Sequence, residues 1–211
     1  MSSIHLELLD KKRKIIFEKL KAFPDATLAG GTALLLQIAH RRSFDFDLFL
    51  EREVKKEDLL RFKKKFKIKS VRVNTGDQLT VRTDQDIDIT LVYYYYKPLF
   101  KKISTSSLPL YAVKDIAADK AHTIGRRAVW RDYVDLFFIL KWGHTDILEL
   151  IKLSEKKFGA EFNPILFLEQ LVYFEDLEIP QISFIKEKYS PTEIQNFLKQ
   201  QARKFKASAL S

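Results

Sequence analysis

Apolar and polar positions alternate most clearly over Asp45-Phe46-Asp47-Leu48-Phe49-Leu50 and again over Asp86-Ile87-Asp88-Ile89-Thr90-Leu91-Val92. Successive side chains on a strand point to opposite faces. Phe46, Leu48 and Leu50 therefore predict a core face with Asp45 and Asp47 on the other, and Ile87, Ile89 and Leu91 do the same against Asp86, Asp88 and Thr90. Further strands are predicted near Thr27 and over 68–74 and 79–83, with Asn74-Thr75-Gly76-Asp77 as a hairpin turn. The strand starting at Asp86 is expected to run to Tyr95, where the tyrosines at 93–96 read as core or edge packing ahead of base stacking.

Helical spacing governs the rest. A helix is predicted over 6–23, a short one begins at Thr32, and another spans 113–127 with Ile116, Lys120, Thr123 and Arg127 along one stripe. The next helix buries Trp130, Tyr133, Val134, Phe137, Phe138 and Trp142, leaving Asp132 and Asp135 one turn apart on its flank. Ser190-Pro191-Thr192-Glu193 combines a capping serine, a proline at the first helical position and a glutamate at the third, which marks the last helix start. The expected architecture is α+β: a mixed sheet flanked by helices over 1–110, then a helical lobe over 111–211.

Composition narrows the chemistry. The chain has 211 residues and no cysteine, which excludes disulfides, thiolate catalysis and cysteine-ligated metal. Its four histidines, at 5, 40, 122 and 144, lack zinc-ligand spacing. No long apolar span is present, so a soluble cytoplasmic protein with no membrane partner is expected. The net charge of +9 is concentrated in Arg61-Phe62-Lys63-Lys64-Lys65-Phe66-Lys67-Ile68-Lys69. Such a patch would attract RNA through its phosphates, although lysines are also what exposed strand edges carry.

Two carboxylates side by side on one strand face repel unless a cation or strong donors lie between them. Mg²⁺, or Mn²⁺ in its place, suits Asp45 and Asp47, because a hard cation takes one or two carboxylates plus substrate phosphates. With 28 acidic residues, chance alone gives about four acid-x-acid pairs, so context must carry the assignment. That context is Gly30-Gly31-Thr32, a turn into a helix whose backbone can approach a phosphate closely. Asp88 is the choice for a third carboxylate, as metal ligand or general base, with Asp86 as the alternate. Arg42 and Ser43, just before the acidic strand, could reach a triphosphate held at the glycines; equally, Arg42 could complement a helix C-terminus.

The order Gly30-Gly31-Thr32-Ala33-Leu34, then His40-Arg41-Arg42-Ser43-Phe44-Asp45-Phe46-Asp47-Leu48-Phe49, then an aspartate between aliphatic residues resembles the nucleotidyltransferases of the DNA polymerase β type. More narrowly, it resembles the AbiEii-like branch, whose members include toxins of abortive-infection and toxin–antitoxin systems. The run from Tyr111 to Ala121, followed by Arg126 to Leu136, is similar to that branch's second half, where a lysine and an Arg-Asp-x-x-Asp-Leu run recur. The resemblance spans roughly residues 25–140.

It implies a nucleotidyltransferase lobe over 1–110, a helical lobe that completes the active site, and Mg²⁺-dependent transfer of a nucleoside monophosphate from an NTP to a hydroxyl. It also implies a role for Lys120 at phosphate or developing charge, with Asp132 as a further catalytic candidate; an ion pair of Lys120 with Asp115, Asp119 or Asp132 is the competing reading. RNA or tRNA as acceptor and a cognate antitoxin belong to the same expectation. The alternatives are a small-molecule, aminoglycoside-type transferase and a catalytically silent nucleotide- or RNA-binding module.

Overall fold

The computed structural model describes residues 4–127 and 129–209, and it divides between Ala112 and Val113 into two compact units. The first carries α1 (Lys11–Lys19), β1 (Ala26–Ala29), α2 (Gly30–Ile38), β2 (Phe46–Leu50), α3 (Lys56–Lys65), β3 (Ile68–Asn74), β4 (Gln78–Thr83) and β5 (Asp88–Tyr93). The second is helical, with α4 (Val113–Ile124), α5 (Trp130–Lys141), α6 (Ile147–Phe158), α7 (Pro164–Val172) and α8 (Pro191–Ala209). The class is α+β, as the two periodicities predict.

The five strands form one sheet in the order β1-β2-β5-β4-β3, in which β2 and β5 are parallel and the other pairs antiparallel. Alternation sets which face is dry: Phe46, Leu48, Leu50, Leu79, Val81, Ile89 and Leu91 are buried. Asp47 lies opposite Thr90, which lies opposite Thr80, with the two threonine hydroxyls 3.3 Å apart; these positions share the polar face. The 74–77 turn joins β3 to β4 as an antiparallel pair.

Local chemistry moves three boundaries away from the sequence expectation. The helix expected over 6–23 is interrupted, because Asp10 adopts an extended backbone and caps α1 by accepting from the Arg13 N–H at 2.9 Å; single 3-10 turns, Leu6–Leu8 and Leu20–Ala22, flank it. The helix expected to reach residue 127 stops at Ile124, just before Gly125. The last strand begins at Asp88 and ends at Tyr93, since Asp86 takes a left-handed φ of 59° and its N–H donates to the Thr83 carbonyl at 3.1 Å. The capping signal at Ser190 is realised, with Glu193 Oε2 accepting from the Ser190 N–H at 2.7 Å and Ser190 Oγ accepting from the Glu193 N–H at 3.3 Å.

The start of α3 is anchored by Asp58, whose side chain is 1% exposed. Its carboxylate receives two parallel bonds from the Arg52 guanidinium, at 2.8 and 2.9 Å, and a third from the Lys55 N–H at 2.9 Å. Burial pushes the Asp58 carboxyl up, but Arg52 and the Lys55 N–H outweigh it and hold it below its ordinary value of 3.8. A lowered folded pKa means that the stabilisation is complete above the unfolded value and fades as pH falls through the folded one. Asp58→Asn should cost about 2–4 kcal/mol at neutral pH, toward the lower part of the range for a broken buried pair because Arg52 is partly exposed. Urea unfolding at neutral pH and at acid pH checks this: the gap between wild type and variant should close below pH 3.8.

Candidate active site

The turn from β1 into α2 and the start of β2 meet at one point. Ala29 lies opposite Asp47 across the β1–β2 pair, so Gly30 emerges beside the Asp47 side chain. Gly30 has φ +64°, and a Cβ there would sit 2.7 Å from Asp47 Oδ2. Both the backbone conformation and the contact require glycine. At Gly31 a Cβ would meet Arg41 Nη2 at 3.0 Å and Ser43 Oγ at 3.1 Å. Thr32 joins the same knot, with its Oγ1 2.9 Å from Ser43 Oγ and hydrogen-bonded to the Asp45 carbonyl. The N-cap residue of α2 is an extended Ala29, which has no side chain that could cap the helix. The positive end of the helix therefore starts beside the Asp47 carboxylate.

Asp45 lies immediately before β2 and Asp47 within it, both half-buried. Asp45 Oδ1 accepts from the Asp88 N–H at 3.2 Å, tying the loop before β2 to the start of β5. The Asp88 carboxylate is engaged on its other side by Arg72 Nη1 at 3.0 Å and Arg82 Nη1 at 3.3 Å. Asp86, the alternate third acid, pairs with Lys69 at 2.8 Å and Arg82 at 3.0 Å. Asp86, then Asp88 and Asp45, raise the Arg82 guanidinium above its ordinary value.

Asp45 and Asp47 supply hard oxygen donors near the start of α2, a donor type that suits a divalent cation shared with substrate phosphates. Among the described residues, no three acidic or histidine side chains are grouped to hold a metal ion.

Arg42, the arginine expected near the triphosphate, is exposed, with Nη1 3.5 Å from the Leu8 carbonyl. Arg41 is the arginine against the glycine turn; it is 4% exposed and its Nη1 donates to the Arg42 carbonyl at 3.1 Å. Period alone could not separate these neighbours, because the stretch between α2 and β2 has no regular repeat. Along the same face of β2, Phe49 stacks on Tyr94 at 4.1 Å and meets Tyr111 edge-on at 5.5 Å, so the tyrosine run begins by packing on the sheet.

In the helical unit, Lys120 of α4 is paired with Asp132 and Asp135 of α5, the latter at 2.9 Å. These aspartates are buried rather than flanking: α5 is covered on nearly all sides, and Asp135 is 0% exposed. One ammonium thus faces two carboxylates, and Asp132 Oδ2 has no hydrogen-bond partner among the described residues. Asp115 and Asp119, the other expected partners of Lys120, instead meet Lys157 of α6 at 3.2 and 2.7 Å. Lys157 was not singled out in the sequence, where it is one lysine among many in an amphipathic helix.

The sequence profile of the AbiEii nucleotidyl transferase toxins, of type IV toxin–antitoxin systems, matches residues 15–209. The chain belongs to the AbiEii nucleotidyltransferase toxin family. An uncharacterized protein of Aquifex aeolicus is 30% identical over 205 residues, spanning 93% of this chain and 97% of its own length. MenT4, a nucleotidyltransferase toxin of Mycobacterium tuberculosis, superposes with a TM-score of 0.62 at 18% identity, over 93% of this chain and 82% of MenT4. JHP933 of Helicobacter pylori superposes at 0.53 with 16% identity, over 98% and 97% of the two chains. The fold is therefore a nucleotidyltransferase fold, and family membership makes the chain a transferase of nucleotidyl groups. Among the described residues, no helix is long and apolar enough to cross a membrane.

The Gly30 contact makes a direct prediction. Gly30→Ala places a Cβ against Asp47 and forces a left-handed alanine, so stability should fall by about 1–2 kcal/mol. Displacing one carboxylate should reduce transfer by roughly 10-fold or more. A melting curve and a transfer assay on the same preparation check both halves.

Proposed function

We propose that this protein is a divalent-metal-dependent nucleotidyltransferase that moves a nucleoside monophosphate from an NTP to a hydroxyl acceptor. The observation that supports this reading is the seating of Asp47 Oδ2 against Gly30, which brings the glycine turn and the acidic strand into one place. Gly30, Gly31 and Thr32 hold the triphosphate through the start of α2, with Ser43 and Arg41 beside them. Asp45 and Asp47 hold Mg²⁺ or Mn²⁺, which would neutralise charge on the phosphates as it develops.

The acceptor oxygen bonds to the α-phosphorus as the bond to the pyrophosphate oxygen breaks, and the hydroxyl proton passes to solvent. Positioning and electrostatics supply most of the acceleration. Lys120 is assigned to phosphate contact through the family resemblance, with Asp132 and Asp135 orienting its ammonium. RNA is the acceptor class favoured by the exposed lysines at 63, 64, 65, 67 and 69, and a cognate antitoxin is the expected regulatory partner.

Incubation with each α-labelled NTP and Mg²⁺, offering total RNA, protein and small hydroxyl acceptors, tests the proposal. Label should move to RNA and depend on the cation. Nucleotide binding without turnover would replace this reading with a silent binding module, and transfer only to small polyamine-like drugs would replace the acceptor.

A further inference from the structure

The order β1-β2-β5-β4-β3 places the glycine turn and the two arginines on opposite sides of the carboxylates. Gly30 follows β1, Asp45 immediately precedes β2 and Asp47 lies within it, Asp88 opens β5, Arg82 is on β4 and Arg72 on the edge strand β3. Arg82 lies directly opposite Asp88 in the β4–β5 register, and Asp88 is two residues before Thr90, which lies opposite Asp47. All of these groups therefore stand on one face. Arg72 reaches that face from an irregularity in β3 between Val71 and Val73.

The consequence concerns Asp88. Its N–H holds Asp45 while its carboxylate is held by two guanidinium groups. A carboxylate committed to two arginines is a poor ligand for a further cation, because the cations compete for the same oxygens and repel one another. The same guanidinium groups are phosphate binders by geometry. Neither is sealed in: the Arg72 side chain is 48% exposed and that of Arg82 27%, so an incoming anion can reach them.

We propose that Arg72 and Arg82 form an exchangeable anion clamp for the acceptor, held by Asp88 until a phosphodiester near the reacting hydroxyl takes its place. The exchange frees Asp88 to join Asp45 and Asp47 at the cation. If the glycine turn holds the triphosphate, the anion arriving from the β4–β3 side belongs to the other substrate, and this clause rests on the transfer reading above. Such a clamp favours a phosphate-bearing acceptor and disfavours a polycationic one. It also makes the third carboxylate available only when an acceptor is present, which would limit futile hydrolysis of the NTP.

Binding measurements on the full chain test this without any transfer assay, so failure of the transfer reading would leave them interpretable. In EDTA, titration calorimetry with a short oligonucleotide bearing a 3′-hydroxyl should show at least about 10-fold weaker binding to the Arg72→Met, Arg82→Met double variant. The slope of log affinity against log salt should fall by about 1, while NTP affinity is unchanged. Loss of NTP affinity with oligonucleotide affinity retained would overturn the assignment to the acceptor.

A second measurement follows free Mn²⁺ by electron paramagnetic resonance. The oligonucleotide should tighten Mn²⁺ binding to the wild type by about 5-fold or more, and a nucleoside without phosphate should not. The double variant should bind Mn²⁺ tightly without oligonucleotide, and Asp88→Asn should lose the linkage. Melting curves establish that each variant is folded. Unchanged or weaker Mn²⁺ binding in a folded double variant would overturn the clamp.

Discussion

Asp45→Asn is expected to reduce nucleotidyl transfer by more than about 100-fold, equivalent to at least ~2.7 kcal/mol of transition-state stabilisation, while leaving the fold intact. The two halves of this expectation have separate physical origins. Asparagine keeps an oxygen at the position of Oδ1, so the bond accepted from the Asp88 N–H at 3.2 Å survives and the loop before β2 remains tied to β5. The Thr32 hydroxyl bonds to the backbone carbonyl of residue 45 and is indifferent to the change. What disappears is a negative charge from a two-carboxylate set, and a neutral amide cannot replace it as a ligand for a hard divalent cation. The Mn²⁺ concentration needed for half-maximal activity should rise together with the loss of rate. A folded Asp45→Asn protein that transfers label at the wild-type rate would show that Asp45 has no part in the chemistry.

The residues of this site that were legible in the sequence share a property: each sits in a segment where period and chemistry coincide. Asp47 was readable because strand alternation fixes its face relative to Phe46 and Leu48, and both are buried. A double glycine before an apolar helix is by itself more often a plain turn, and what singles out Gly30 in the sequence is the acidic strand that follows it. Asp88 was placed on the correct face by the same alternation, but its occupation by Arg72 and Arg82 depends on β3 and β4 lying beyond β5. Alternation along one strand carries no information about the order of strands in the sheet. At Asp86 the alternation does not hold, since this left-handed residue lies just before the strand begins.

The buried charges of the helical unit were the least legible part. Helical spacing put Asp132 and Asp135 at the edge of a hydrophobic stripe, where charged residues are ordinarily solvated. Their burial became possible only because Lys120 on another helix meets both. A lysine paired three-dimensionally with i,i+3 aspartates looks, in one dimension, like three surface residues. The basic run at 61–69 was read as an exposed surface, and Lys63, Lys64, Lys65, Lys67 and Lys69 are exposed, whereas Phe62 and Phe66 between them are buried. The run therefore combines a charged surface with two anchors.

The largest loss of stability from a single substitution is expected at Lys157→Met. Lys157 Nζ lies 3.2 Å from Asp115 Oδ1, 3.4 Å from the Asp115 carbonyl and 2.7 Å from Asp119 Oδ1, with the side chains of Lys157 and Asp115 both 0% exposed. Methionine preserves most of the side-chain volume, although the ammonium that stands 5.8 Å over the Phe158 ring is lost with the charge. The buried Asp115 and the partly exposed Asp119 lose this cation, and breaking such a buried pair from one side costs about 3–5 kcal/mol. For a chain of this size that corresponds to a melting point lower by roughly 10 °C. Replacing all three partners, Lys157→Met with Asp115→Asn and Asp119→Asn, should recover much of the loss, because the penalty arises from stranded charge and not from absent attraction. Urea unfolding followed by circular dichroism on the single and triple variants separates these causes. A single variant that melts within a degree or two of wild type would mean that water or rearrangement already neutralises Asp115, and the network would then have little structural weight. Because Asp119 is followed directly by Lys120 on α4, assaying transfer well below the melting point would show whether this pairing also governs how Lys120 is presented.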